Sequence, residues 1–279
     1  MKLVQTKIAL RESRAELSGS VALVMTMGAL HAGHLSLVKA AKAAADHVIV
    51  SIFVNPLQFA PNEDFAAYPR TLDADLSLLA PEGVDLVYAP DEADVYPRTP
   101  LVRIDPGPVA KILEGKTRPT HFAGVLQIVH KVFQLTTPDL AFFGQKDAQQ
   151  LALIRTMVAD LDLPLEICAV PIKREADGLA MSSRNSYLSP QERVDALALS
   201  RSLAAGAVEA AAGGQVQQVL QAVQSELAAS AGVRRDYVQI VDPQTFLDLP
   251  ADYCGQALIV IAAWIGNTRL IDNREVQIG

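Results

Sequence analysis

VALVMTMGALHAGHLSLVKAAKAAA, residues 21–45, is the stretch from which the architecture can be read. Val21–Met25 is an apolar run bounded by Gly19 and Gly28, which reads as a buried strand. Leu35–Ala45, rich in leucine, alanine and lysine, reads as a helix. Between them, Met25-Thr26-Met27-Gly28-Ala29-Leu30-His31-Ala32-Gly33-His34 leaves the strand's carboxyl end and opens the helix.

The same alternation continues downstream. His47–Val54 is a second strand, stopped by Asn55-Pro56. Asp64–Leu79 has helical spacing with a break implied at Pro69. Val84–Tyr88 reads as a strand, and Leu101–Ile104 as a short extra one. Gly124–Leu135 is a helix, Leu140–Phe143 a strand, Ala148–Ala159 a helix and Leu165–Val170 a strand. Strands alternating with helices imply an α/β domain, a parallel sheet with helices on both faces, over residues 1–172.

After Pro171 the pattern changes. Ser189-Pro190-Gln191-Glu192 is a helix start, with a capping serine, a proline at the first helical position and a glutamate able to complete a capping box. That helix is expected to end at Gly213-Gly214, and a second to run from Gln215 to Ala229. Strands are expected near Tyr237–Val241, Ala257–Ile265 and Thr268–Ile271, the last two joined as a hairpin at Gly266-Asn267. Residues 173–279 therefore read as a smaller C-terminal α+β domain, with a hinge or lid expected at the boundary.

Composition narrows the chemistry. Half of the 279 residues are hydrophobic, enough for a substantial core. The net charge of -7 argues against a nucleic-acid binder, which needs a basic face to neutralise phosphates. It leaves room for small anionic substrates, because a few local cations can reverse the field inside one cleft. The two cysteines, Cys168 and Cys254, sit in apolar runs and read as small buried hydrophobes. No CxxC or Cys/His cluster suggests zinc. The first ten residues lack a long apolar run, and no stretch suits a membrane span, so a cytoplasmic protein is expected.

Three constellations carry chemistry. In open α/β sheets ligands sit beyond the carboxyl ends of strands, and a helix start offers amide donors and a positive dipole end suited to phosphate. His31 and His34 fall on such a start, with Gly33 between them. Phosphate contact, metal ligation and a structural role are the three readings of this pair. In the second constellation, Asp177-Gly178-Leu179-Ala180-Met181-Ser182-Ser183-Arg184-Asn185, the serines supply donors and Arg184 a planar fork for phosphate. In the third, Asn55 and Gln58 of Phe53-Val54-Asn55-Pro56-Leu57-Gln58-Phe59 offer amides for a carboxylate and hydroxyls. With it goes Phe143-Gly144-Gln145-Lys146-Asp147-Ala148-Gln149-Gln150. Gly144 allows close approach, Lys146 balances phosphate charge, Asp147 can cap or accept ribose hydroxyls, and Gln150 lies one turn on from Lys146.

His31-Ala32-Gly33-His34 resembles the HxGH signature of the nucleotidylyltransferase and class I aminoacyl-tRNA synthetase superfamily, which forms adenylates on a Rossmann-like sheet. With FVNPLQF, FFGQKDAQQ and DGLAMSSRN in order behind it, nearly the whole chain resembles the pantothenate synthetase family. The resemblance implies condensation of pantoate with β-alanine at the expense of ATP, through a pantoyl-adenylate, with Mg²⁺, in a cytoplasmic homodimer. It further implies that Met27, Gly28, Ala29, Leu30, His31, Ala32, Gly33 and His34 contact ATP, with His34 as proton donor. Gly144, Gln145, Lys146, Asp147, Lys173, Met181, Ser182, Ser183 and Arg184 would complete the ATP site. His31, His34, Lys146 and Arg184 would be catalytic, Gln58 and Gln150 would hold pantoate with Asn55 nearby, and Asp75 would be a Mg²⁺ ligand. Lys173 replaces the small apolar residue the family commonly has near the adenine, which is harmless if the contact is through the backbone. A nucleotidylyltransferase and a nucleotide-binding regulatory module are the competing readings. The acidic charge and the lack of a basic extension disfavour a tRNA ligase.

Overall fold

A computed structural model describes residues 1–61, 63 and 65–279. The chain divides into two compact units. The first comprises Met1–Gln145 and Leu153–Pro171, the second Lys146–Ala152 and Ile172–Gly279.

In chain order the elements are β1 (Lys2–Val4), α1 (Lys7–Ala15), β2 (Val21–Thr26), α2 (Ala32–Ala44), β3 (His47–Ile52), α3 (Leu72–Leu79), β4 (Leu86–Tyr88), α4 (Glu92–Val95), α5 (Glu114–Thr117), α6 (His121–Thr136), β5 (Leu140–Gly144), α7 (Ala148–Asp160) and β6 (Glu166–Val170), then α8 (Pro190–Ala211), α9 (Val216–Ala228), β7 (Val233–Val241), β8 (Gly255–Ile265) and β9 (Thr268–Ile278). The first unit carries a six-stranded parallel sheet in the order β1-β4-β3-β2-β5-β6. The middles of its central strands are apolar because both faces are covered: Val21–Val24, Val48–Val50 and Ala141–Phe143 are all buried. From β2 the chain steps outward through β3 and β4. It then returns to the other flank of β2 for β5 and β6. The carboxyl ends of β2 and β5 therefore flank a topological switch point, where α/β sheets bind ligands.

The second unit is the expected smaller α+β domain, an antiparallel sheet in the order β7-β8-β9 with α8 and α9. Ala257–Ala263 of β8 are fully or almost fully buried, and Ala257, Ile259, Ile261 and Ala263 share a core with Leu199, Leu203, Val219, Val223 and Leu227 of the two helices. The capping box at the start of α8 is formed: Ser189 Oγ accepts from the Glu192 amide at 3.3 Å and the Glu192 carboxylate from the Ser189 amide at 2.8 Å. The hairpin turns at Gly266-Asn267, with Gly266 at φ +54°.

Several expectations need correction. Leu101–Ile104 forms no strand; Leu101 and Val102 are each 81% exposed and face no partner strand among the described residues. The helix expected from Asp64 begins only at Leu72, past Pro69, and Asp64 itself lies outside the described residues. Helix α2 starts at Ala32, one turn earlier than composition suggests. Cys254 is exposed and Cys168 only partly buried. β9 runs on to Ile278, well past Ile271. β1 and α1, which no expectation covered, form an edge strand on β4 and a helix capped by Thr6. No helix among the described residues is long and apolar enough to cross a membrane.

Candidate active site

The loop between β2 and α2 is held from three sides. Thr26 Oγ1 accepts from the Gly28 amide at 3.3 Å and donates to the Ser51 carbonyl at 3.1 Å, tying the loop's entry to β3. Gly28 has φ +86° and Ala29 φ +50°, a left-handed conformation that strains a residue with a Cβ. Asp75, buried on the first turn of α3, receives the amides that this conformation exposes. Its Oδ2 accepts from Ala29 at 3.1 Å, and its Oδ1 from Leu30 at 2.8 Å and from the Thr71 hydroxyl at 3.3 Å. A Cβ on residue 28 would sit 3.1 Å from Asp75 Oδ2, so the backbone passes close over the carboxylate.

The two histidines open α2. His31 is the N-cap: its Nδ1 accepts from the Gly33 amide at 3.1 Å. His34 reaches back so that its Nδ1 accepts from the His31 amide at 3.3 Å, and the rings lie 4.1 Å apart. This is a capping box built from histidines. An amide can only donate, so both Nδ1 atoms act as acceptors, and the ring proton of each neutral imidazole is placed on Nε2. Each ring is thereby oriented as an Nε2–H donor at a helix start whose dipole favours anions.

Beside this loop lies a buried amide cluster. After β3 the chain turns at Asn55-Pro56 into a short 3₁₀ turn that carries Gln58. Asn55, 1% exposed, uses its whole amide inside the unit. Its Oδ1 accepts from Tyr96 Oη at 3.0 Å and from the Leu57 amide at 3.4 Å. Its Nδ2 donates to Gln58 Oε1 at 3.1 Å and to the Gly124 carbonyl at 3.0 Å. Gln58 Nε2 then points at Met27 Sδ, 2.9 Å away, a weak acceptor in the segment between β2 and α2. His121 Nδ1 pairs with the Gln58 carbonyl at 3.0 Å. Gly124 permits this packing, since a Cβ there would collide with the Leu57 carbonyl.

His31, His34, Met27, Gln58, Asn55 and Asp75 thus come together in the first unit, where β5 also ends at Gly144 and is followed by Gln145. The remaining expected residues belong to the second unit. There the Lys146 carbonyl accepts from Asn273 Nδ2 of β9 at 2.9 Å. Lys146 is partly exposed, and its ammonium has no ion-pair partner among the described residues. Asp147 is exposed and Gln150 partly buried. Residues 174–180 fold back on themselves, with an isolated bridge between Arg174 and Ala180 and Gly178 at φ +95°. The exposed Lys173 contributes its backbone: its carbonyl accepts from the Met181 amide at 2.9 Å. Ser182 caps the short helix Ser183–Tyr187 by accepting from the Arg184 amide at 3.3 Å. Asn185 Nδ2 fastens this turn to Glu175 at 2.7 Å and to the Ala180 carbonyl at 3.1 Å, while its buried Oδ1 has no partner among the described residues. Arg193 bridges Glu175 and Asp177 at 2.6 and 2.7 Å. These contacts hold the Glu175 carboxyl below its usual range, chiefly through the Arg193 hydrogen bond. Burial alone would raise Asp177, but the Leu179 amide and Arg193 outweigh it and its pKa also falls.

Among the described residues no three histidine, cysteine, aspartate or glutamate side chains gather to hold a metal. Both Asp75 oxygens accept protein donors, so the buried carboxylate braces the loop. Sequence reasoning missed Thr71, Tyr96, His121 and Gly124, which reach the site only through the fold.

The fold and the loop together define an open α/β protein with a histidine-capped helix start beyond the carboxyl end of a central parallel strand, the place where such sheets bind ligands. The chain belongs to the pantoate-beta-alanine ligase family, whose model matches residues 2–275. It is 54% identical over 271 residues to the pantothenate synthetase of Acidothermus cellulolyticus, covering 96% of this chain and 89% of that protein. It is 52% identical over 280 residues to that of Salinispora arenicola, covering 99% and 98%. The crystal structure of pantothenate synthetase from Thermus thermophilus is similar with a TM-score of 0.94 and 45% identity, over 98% of this chain and 99% of that one. The pantoate-beta-alanine ligase of Francisella tularensis, crystallised with beta-gamma ATP and beta-alanine, matches with a TM-score of 0.81 and 36% identity, over 98% and 97%.

Proposed function

We propose that this chain condenses (R)-pantoate with β-alanine at the expense of ATP, giving pantothenate, AMP and pyrophosphate through a pantoyl-adenylate. The observation that carries the reading is the 2.9 Å approach of Gln58 Nε2 to Met27 Sδ. A neutral donor matched to a thioether sits against the loop that leads into His31 and His34. A carboxylate or hydroxyl of the acid would be a far stronger acceptor than that sulfur.

In the first step a pantoate carboxylate oxygen attacks the α-phosphorus of ATP. The bond from that phosphorus to the β-phosphate bridging oxygen breaks and pyrophosphate leaves. Both reactants are anions, so repulsion is the first obstacle. The Nε2–H groups of His31 and His34 offer donors to the phosphates. Lys146 and Arg184 add positive charge, with Met181, Ser182 and Ser183 as further donors. Gln58 and Gln150 hold the acid without charge, and fixing it in line supplies further acceleration. In the second step the β-alanine amine attacks the acyl carbon. The bond to the AMP oxygen breaks, and the amine loses its proton as the amide forms. No covalent enzyme intermediate is needed.

Mg²⁺ enters with ATP, held by phosphate oxygens and water as this ion commonly is. Asp75 serves the loop instead, fixing Ala29 and Leu30. Asn55 stands behind Gln58 as its support. The C-terminal unit acts as a lid, the enzyme works as a cytoplasmic homodimer, and neither nucleic acid nor membrane takes part.

The test is a product assay. ATP, pantoate and β-alanine together should yield pantothenate, AMP and pyrophosphate in equal amounts. A stable adenylylated product formed without consumption of β-alanine would point to a nucleotidylyltransferase. ATP binding without pyrophosphate release would leave a regulatory module.

A further inference from the structure

The polarity of the Gln58 amide is not a free choice. Two backbone groups fix Asn55: the Gly124 carbonyl can only accept and the Leu57 amide can only donate. The first therefore faces Nδ2 and the second Oδ1. The remaining Nδ2 proton is directed at Gln58, which must answer with Oε1 at 3.1 Å. Its NH₂ is then obliged to face Met27 and whatever lies beside it. Tyr96 completes the set by donating its hydroxyl to Asn55 Oδ1 at 3.0 Å. That donation is secure, because burial pushes the Tyr96 phenol well above its ordinary pKa and keeps it protonated. The ring is wedged between Phe53, with centroids 6.2 Å apart, and the Lys131 ammonium, 5.6 Å from its centre. The Leu57 bond to the same oxygen is long at 3.4 Å, so Tyr96 is the stronger of the two donors holding Asn55.

We propose that Tyr96 is a positioning residue for the acid substrate: through Asn55 it locks Gln58 with its donor side outward, so that the site selects an acceptor-bearing acid. The proposal rests on the reading that Gln58 holds pantoate. A net hydrogen bond of about 1 kcal/mol corresponds to roughly fivefold in affinity. Tyr96→Phe keeps the ring and removes only the donor.

The test is a double-mutant cycle on the full chain, with steady-state kinetics and thermal melting. Tyr96→Phe is expected to raise the KM for pantoate about three- to tenfold and to leave the KM for ATP unchanged. Added to Gln58→Ala, the same change is expected to raise it no further, because Tyr96 acts only through Gln58. Asn55→Asp is the second probe. A carboxylate at residue 55 would draw the Gln58 NH₂ inward and turn its carbonyl toward the acid. The pantoate KM should then rise at least about thirtyfold, with the ATP KM again unchanged. An unchanged pantoate KM in Tyr96→Phe or in Asn55→Asp, equal rises for both substrates, or effects that simply multiply in the double variant would overturn the proposal. Wild-type enzyme that makes no pantothenate would instead sink the functional reading.

Discussion

Asp75 and Leu30 are joined across the loop that opens α2, the carboxylate accepting the Leu30 amide at 2.8 Å while its second oxygen takes Ala29 at 3.1 Å. In an isosteric Asp75→Asn variant the amide oxygen is drawn to the two donors Leu30 N–H and Thr71 Oγ1, so the NH₂ faces the Ala29 amide, which loses what stabilises its left-handed conformation. The KM for ATP should rise, and pyrophosphate release should slow about tenfold, or 1.4 kcal/mol. Titrating Mg²⁺ separates the two roles of Asp75. A loop brace is not rescued by high Mg²⁺, whereas a lost metal ligand is.

His34 has a local duty, its Nδ1 accepting the His31 amide, and under the proposed function a chemical one, its Nε2–H donating to the phosphates. His34→Ala should slow single-turnover pyrophosphate release at least about a hundredfold, the size expected for a lost transition-state donor. The capping loss should lower stability by about 1 kcal/mol, visible as a small drop in melting temperature. An unchanged first-step rate removes His34 from the chemistry.

Lys146 has an ammonium without an ion-pair partner among the described residues, and its backbone is anchored separately by Asn273. Lys146→Ala should therefore leave the melting temperature nearly unchanged. Adenylation should slow by about tenfold or more. Activity near wild type would count against a role at the phosphates.

Acid should loosen the turn that carries Met181–Arg184. The folded pKa of Glu175 lies below its ordinary 4.5 and that of Asp177 below 3.8, with Arg193 contributing to both. The unfolded chain therefore binds protons first. The stability from these groups is full above their ordinary values and is lost as pH falls through the depressed ones. Arg193→Met should flatten the fall of melting temperature below about pH 4.5. An identical acid slope in the variant would show that the clamp contributes nothing.

How far the sequence could be read depended on how local the signal was. β2 and β8 are buried on both faces, so their apolar runs mark them without ambiguity, and Ser189-Pro190-Gln191-Glu192 announces α8 by its own capping chemistry. The start of α2 was hidden because histidine is an unusual cap and Gly33 a poor helix former, so composition pointed to Leu35. Leu101–Ile104 has strand-like residues but pairs with no strand among the described residues, the Ile104 amide donating to the Gln127 side chain instead, which only the tertiary structure decides. Asp75 looks like any acidic residue on a first helical turn until the loop above it is seen. Tyr96 lies 41 residues from Asn55, and nothing local links them. The HxGH and Gln58 positions were legible as motifs, whereas the groups that aim them were not.

The decisive measurement is rapid-quench pyrophosphate release from wild-type enzyme mixed with ATP and pantoate before any β-alanine is added. One pyrophosphate per active site should appear in a burst, and β-alanine added afterwards should convert the retained acyl group to pantothenate with release of AMP. Pyrophosphate that forms only once β-alanine is present would contradict activation of the acid as a separate first step.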